Sequence, residues 1–308
     1  MATWPRSYQK LIKNMNLYQQ RDFGEKINAT IQYAVKQFRS LGTALLYIAG
    51  APALIAGIAS GVTSASMLST RPTGQPGSYD LGYWMARQLS SPYYLVALVF
   101  ALLIPLLVNL TVYSHLKVYD RSHGEPVTVE AVWAEVQSAL GRAVATWVVV
   151  GILVIVATLF FVIPGIYLGV VFSLALATVV FEGASAGTFM GRCFELIRDK
   201  WWSTFGLIII VSLIAYLLSF VFNVPAAAVG MLVSLKIAPD MPVYVTILTS
   251  ILSTIGNILV SALVALGIAF QYFNLIELRE GRSILAAIDS IGSTSPPPIP
   301  RSNDEGDY

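Results

Sequence analysis

Between Arg142 and Glu182 the chain carries no charged residue. The run from Ala143 to Gly183 is interrupted only by the pair Pro164-Gly165. Each half is about long enough to cross a bilayer whose hydrocarbon core is ~30 Å thick. In lipid every backbone N–H and C=O must find a partner within the chain, which favours helices. The stretch therefore predicts a helical hairpin with spans at about 144–163 and 166–181, turning at Pro164-Gly165.

The rest of the 308 residues repeats the idea. The chain is 56% apolar and 12% charged, against about 25% charged for a soluble domain, so it cannot build a water-facing surface. Further apolar runs predict spans at about 42–66, 92–116, 203–223 and 243–275. The fold class expected is an all-α integral membrane protein of six transmembrane helices. Gly57-x-x-x-Gly61 in the first span, and Gly165-x-x-x-Gly169 in the fourth, put small residues on one face and allow close helix approach. Pro52 predicts a kink. Asn109, one turn after Pro105, is expected to satisfy a neighbouring helix or the backbone freed by the proline.

Three shorter segments have helical periodicity but too much polarity to cross. Asp22 followed by Glu25 is a capping-box pattern, and Phe23, Ile27, Ile31, Val35 and Phe38 then mark one apolar face, with Lys26 and Lys36 mostly away from it. Thr128 begins a second such helix over 128–141, and a third covers 184–200. Each is expected to lie at the membrane surface ahead of a hairpin, giving three copies of one unit. The expected layout is a basic segment over 1–21, a membrane domain over 22–291 that ends in a short amphipathic piece at Ser283–Ile291, and a disordered tail over 292–308. The first apolar segment is expected to serve as an uncleaved insertion signal.

Charge orients this arrangement. With six spans, 16 of the 19 Lys and Arg residues fall on one side, leaving Arg71, Arg87 and Lys236 on the other. Positive residues accumulate on the cytoplasmic side, so both termini and the three surface helices are expected there.

Little in the sequence carries catalytic chemistry. There is one cysteine, Cys193, and there are two histidines, His115 and His123. The spans hold essentially no ionisable residue, which removes the usual machinery of ion-coupled transport. No phosphate-binding loop, nucleophile elbow, zincin or dinucleotide motif is present. No enzyme activity, cofactor or metal is expected. The residues singled out are structural and interfacial. Glu182 ends a long helix, where a carboxylate meets the negative end of the dipole, so Arg192, Arg142 or Lys200 is expected to offset it. Trp201 and Trp202 read as interface anchors, Pro164 and Gly165 as a turn, and Cys193 as packing on an apolar stripe.

The pieces Pro164-Gly165-Ile166-Tyr167, Phe181-Glu182-Gly183, Phe189 through Leu196, and Trp201-Trp202-Ser203-Thr204-Phe205-Gly206 together resemble the membrane domain attached to some bacterial glycerophosphoryl diester phosphodiesterases. The resemblance covers the middle 60 residues best. It implies a multi-pass protein of the bacterial plasma (inner) membrane. It does not imply diesterase activity, which belongs to a separate soluble domain. Two readings of function follow. One is a non-enzymatic membrane protein whose surface helices meet lipid headgroups or dock a partner, either another protein or a second copy of the chain. The other is a transporter or channel around the kinked spans. An intramembrane enzyme acting on lipid is the weakest reading, and nothing points to nucleic acid.

Overall fold

The computed structural model describes residues 15–69, 85–86, 88–122, 125–185, 187–238 and 241–281. The expected piece at Ser283–Ile291, the tail over 292–308 and most of the basic N-terminal segment lie outside these residues. All regular structure among the described residues is helical. In chain order the elements are α1 (Phe23–Lys36), α2 (Phe38–Ser69), α3 (Pro92–Arg121), α4 (Val129–Phe160), α5 (Val162–Phe172, continued by Ala175–Ala177 and a π-helical turn at Thr178–Glu182), α6 (Phe189–Ile197), α7 (Trp201–Ser234) and α8 (Val243–Glu280). Six helical stretches are long and apolar enough to cross a membrane: α2, α3, α4, α5 with its continuation to Glu182, α7 and α8.

Local chemistry explains where elements begin. Asp22 accepts Glu25 N–H at 2.7 Å while Asp22 N–H donates to the Glu25 carboxylate at 3.0 Å, a complete capping box. Thr128 caps α4 through Ala131 N–H. The second surface helix and the third span are one element, α4, because nothing between Leu140 and Val144 stops a helix. The turn between α4 and α5 falls at Phe161, in extended conformation at φ −154°, rather than at Pro164-Gly165. Pro164 instead sits in the first turn of α5, where its missing N–H would have had no helical acceptor. Gly165 serves close packing: a Cβ there would lie 2.1 Å from the Thr158 hydroxyl of α4. The third surface helix is shorter than expected, since Gly183 at φ +73° ends the preceding turn and Ser185–Thr188 closes on itself through Ser185 N–H to Thr188 Oγ1 at 3.0 Å. α7 runs past residue 223, through Pro225, to Ser234. The Ser253 hydroxyl donates to the Phe222 carbonyl beside that proline at 2.9 Å.

The core is built on α8, which packs against α1, α2, α3 and α7. Gly57 and Gly61 lie at the α2–α8 crossing, where added Cβ atoms would stand 2.8 Å from Ile251 Cα and 2.5 Å from Ile247 Cα. The expected close approach is thus made to the last long helix. α7 follows α8 antiparallel along its length, with Thr204 beside Gln271, Val211 beside Gly267 and Asn223 beside Asn257. That register puts Trp201 level with Asn274. The Tyr167 carbonyl accepts from Trp201 Nε1 at 3.3 Å, and Phe181 stacks on Tyr272 at 5.2 Å. Tyr167 and Phe181 are about four helical turns apart, yet they meet the α7–α8 pair at nearly one height. The α5 segment therefore runs across that pair rather than along it.

α1 is turned unexpectedly. Ile31 and Val35 of its apolar stripe, and Phe38 at the start of α2, face outward, whereas Lys26, Ala29, Thr30 and Tyr33 are buried. The stripe carrying Lys26, Thr30 and Tyr33 is built into the bundle, while Glu25, Asn28, Gln32 and Lys36 form a second polar stripe that stays exposed.

Candidate functional site

The polar residues gather at one end of the bundle, where α1, α6 and the start of α7 meet the ends of α3, α5 and α8. Two clusters form there.

In the first, the Arg192 guanidinium of α6 binds three carboxylates. Its Nε donates to both oxygens of Glu182, at 2.8 and 3.1 Å, Nη1 donates to Glu195 at 3.0 Å, and Nη2 donates to Glu280. The Tyr272 hydroxyl donates to Glu182 at 2.7 Å. The α5 terminus, α6 and α8 are thereby tied through one cation. Burial alone would make Arg192 a weaker base, but the bonds to Glu182, Glu280 and Glu195 outweigh it and push its pKa above the ordinary guanidinium value. Of the three cations considered for Glu182, Arg192 is the one paired with it. Arg142 is exposed and forms no ion pair among the described residues, and Lys200 lies elsewhere. With its fork occupied by carboxylates, Arg192 has the arrangement of a fastening rather than a receptor.

Trp201 is wedged between Tyr167 and Phe205, with ring centroids 5.7 and 5.0 Å away, while Trp202 is 78% exposed. Cys193 is buried, and burial pushes its thiol up to about 12, which suits packing and not reactivity. His115 is buried between the Tyr33 hydroxyl, 2.8 Å from Nδ1, and Ser40 Oγ, 3.0 Å from Nε2. Ser40 already donates to the Val127 carbonyl at 2.9 Å, so it accepts from Nε2–H and Nδ1 accepts from Tyr33. The network fixes a neutral imidazole and joins α1, α2 and α3.

The second cluster was not anticipated. Lys26, 3% exposed, donates to Gln271 Oε1 at 2.9 Å and to Ser203 Oγ at 3.3 Å, with the Phe23 ring 5.8 Å away. Gln271 Nε2 donates in turn to Thr204 Oγ1 at 2.8 Å. Arg21 N–H donates to Asn274 Oδ1 at 2.8 Å, and its guanidinium lies over Phe270. Burial, together with nearby Lys200, lowers the Lys26 pKa below its ordinary 10.5, with Asp22 opposing. Among the described residues no carboxylate forms an ion pair with Lys26. The cluster borders a pocket of about 410 Å³ lined also by Lys200 and Asn274. The sequence carried its signal in a second stripe on α1, Lys26, Thr30 and Tyr33, and in the polar Gln271 and Asn274 of the last span.

Two larger hollows lie deeper. An apolar crevice of about 760 Å³ runs beneath α1, lined by Ile31, Val35 and Phe38 above and by side chains of α2, α7 and α8, among them Leu45, Leu218 and Leu263. A groove of about 450 Å³ between α3 and α8 exposes Asn109, Thr254, Asn257 and Ser261. Asn109 donates to the Pro105 carbonyl at 2.8 Å, and Asn257 accepts from Asn223 at 3.2 Å. Among the described residues no group of three or more His, Cys, Asp or Glu side chains is arranged to hold a metal ion. The chain matches no protein-family model, no curated protein and no solved structure.

Proposed function

We propose that the protein is a non-enzymatic integral membrane protein that engages lipid at the headgroup level of the cytoplasmic leaflet of a bacterial plasma membrane. The observation that carries this reading is α1. Its Lys26–Thr30–Tyr33 stripe is held by the bundle through Gln271 and His115, Ile31 and Val35 are turned outward over an apolar crevice, and Glu25, Asn28, Gln32 and Lys36 remain exposed on a third side. A helix so mounted at the level of Lys26 and Arg21 buries its stripe only if lipid surrounds it. The crevice beneath is lined by apolar side chains, as an acyl-chain slot would require. The accumulation of Lys and Arg supports the cytoplasmic orientation, and the resemblance to the phosphodiesterase membrane domains supports the bacterial setting. Nitroxides at Val35 and Phe38 in reconstituted protein are expected to report depths just below the headgroups. Full water accessibility at both would overturn the reading.

A second reading, transport of an unidentified solute, is favoured by the groove carrying Asn109, Thr254, Asn257 and Ser261 at mid-height between α3 and α8. Asparagine amides exposed within a bilayer are costly unless they meet water or a polar ligand. Equal labelling of Asn257→Cys by lipid-soluble and water-soluble thiol reagents would support it. Labelling by the lipid-soluble reagent alone would count against it.

A further inference from the structure

The pocket framed by the beginning of α1, the beginning of α7 and the end of α8 contains a buried ammonium with only neutral partners. The Lys26 amine spends two donors on Gln271 and Ser203. Burying an ammonium is unfavourable unless an opposite charge or a full set of hydrogen bonds compensates, and the neighbouring cations worsen the balance. Lys200 lines the same pocket and lowers the Lys26 pKa. Asp22, the acid whose charge favours the ammonium, already accepts the Glu25 N–H of the helix cap. Arg21 is engaged with the Leu17 and Asn16 carbonyls, so it contributes field more than bonds. Asn274 gives its Oδ1 to Arg21 N–H and retains an amide donor. The pocket thus offers ammonium, hydroxyl and amide donors with one carboxylate nearby, a donor set matched to an anion with several oxygens.

We propose that this pocket binds a phosphate group, of the kind carried by an anionic phospholipid headgroup, with Lys26 as the buried contact and Lys200 as the exposed one. The lipid origin of the phosphate rests on the reading of α1 as a helix at headgroup depth. Phe23, which lines the pocket, and the exposed Trp202, adjacent in sequence to Ser203, supply apolar surface where the glycerol backbone of such a lipid would lie.

The test is native mass spectrometry of the full chain in detergent, titrated with dioleoyl phosphatidylglycerol, with dioleoyl phosphatidylcholine, and with phosphatidylglycerol in the presence of inorganic phosphate. Wild type is expected to retain phosphatidylglycerol in preference to phosphatidylcholine. Losing a charged hydrogen bond in Lys26→Met should weaken phosphatidylglycerol retention by ~10-fold or more. Lys200→Gln, at an exposed position that leaves the fold intact, should weaken it by about 3-fold. Phosphatidylcholine retention should not change. Competition by millimolar inorganic phosphate would show that the pocket takes the phosphate group itself. Without competition, a variant-sensitive preference assigns the site to the lipid-borne group. Equal retention of the two lipids by wild type, or phosphatidylglycerol retention unchanged in both variants, would overturn the proposal. Nitroxide depths at Val35 and Phe38 separate the two failures. Headgroup depth with no lipid preference sinks only the phosphate site, and aqueous depth sinks the lipid reading of α1 as well.

Discussion

Replacing Arg192 by methionine keeps most of its aliphatic volume and removes the cation that joins α5, α6 and α8. The side chains of Arg192 and Glu182 are 20% and 17% exposed, so the pair is mostly desolvated. Breaking a fully buried pair from one side costs about 3–5 kcal/mol, because the remaining charge is stranded. Residual exposure places this case near the lower end. Glu195 is 62% exposed and adds no more than about 0.5 kcal/mol. The expected loss is about 3 kcal/mol, which for a chain of 308 residues lowers the thermal midpoint by about 5 °C. Arg192→Lys retains charge but not the planar fork and should lose about half as much. Combining Arg192→Met with Glu182→Gln should recover part of the loss, since the stranded carboxylate is then neutral and still accepts from Tyr272. Thermal unfolding in a mild detergent, followed by intrinsic fluorescence, measures all four proteins. A midpoint for Arg192→Met within ~1 °C of wild type would refute the claim that this cation fastens the three elements. Because the Arg192 pKa is raised, its contribution, with the partner carboxylates ionised, is present from neutral pH up to the ordinary guanidinium value of 12.5. It is lost only as pH rises through the still higher folded value. Its share of stability should therefore be flat from neutral to mildly alkaline pH.

Three further outcomes are expected. Gly61→Ala places a methyl against Ile247 Cα, an atom that cannot rotate away, and the forced separation of α2 from α8 should cost about 1–3 kcal/mol in the same assay; a neutral result would mean the helices cross elsewhere. Lys26 has a lowered pKa, so its burial penalty is fully present below the folded value and is relieved as pH rises toward 10.5; wild type should gain stability over that interval, and Lys26→Met should lack the gain when their pH–stability curves are subtracted. Because α5 runs across the α7–α8 pair, nitroxides at Phe160 and Ile163 should lie nearer the headgroups of the Arg192 end than one at Leu218; the reverse order in depth measurements would refute the crosswise placement.

What the sequence conveyed follows from what lipid demands. Apolar length, Gly57-x-x-x-Gly61 and the capping box at Asp22 are local properties, and the structure contains each of them. Boundaries were less legible where a neighbouring element decides the matter. Pro164-Gly165 looks like a turn, but Pro164 is harmless in a first helical turn and Gly165 is needed against Thr158, so the chain turns at Phe161 instead. Pro225 looks like an end, but the α7 helix passes through it beside Ser253 of α8. The partner of Glu182 could be narrowed to three cations by charge alone. Choosing Arg192 required knowing that Gly183 reverses the chain and brings α6 back beside Tyr272 and Glu280.

The orientation of α1 shows why amphipathicity underdetermines function in a membrane protein. In water the apolar stripe of a helix turns inward, because that is where apolar surface escapes solvent. At a bilayer edge both directions are dry, and the polar stripe becomes the one that needs partners. Lys26, Thr30 and Tyr33 meet Gln271, Ser203, His115 and the α1 backbone, so they point inward, and Val35 and Phe38 are left exposed. The same inversion carries a lysine into the protein and sets it beside a second lysine at the rim of a pocket. If the proposal that α1 lies at headgroup depth holds, this ammonium is placed to meet the phosphate of a headgroup. Exchanging the residues at 26 and 27 leaves Ile31, Val35 and Phe38 outward but moves the lysine about 100° around the helix, to the position that packs against Leu207 and Val211, and sets isoleucine against Gln271. If lipid contact by the outward stripe were all that mattered, phosphatidylglycerol retention would survive that exchange; if the inward lysine is what holds the headgroup, retention should fall to the level of Lys26→Met.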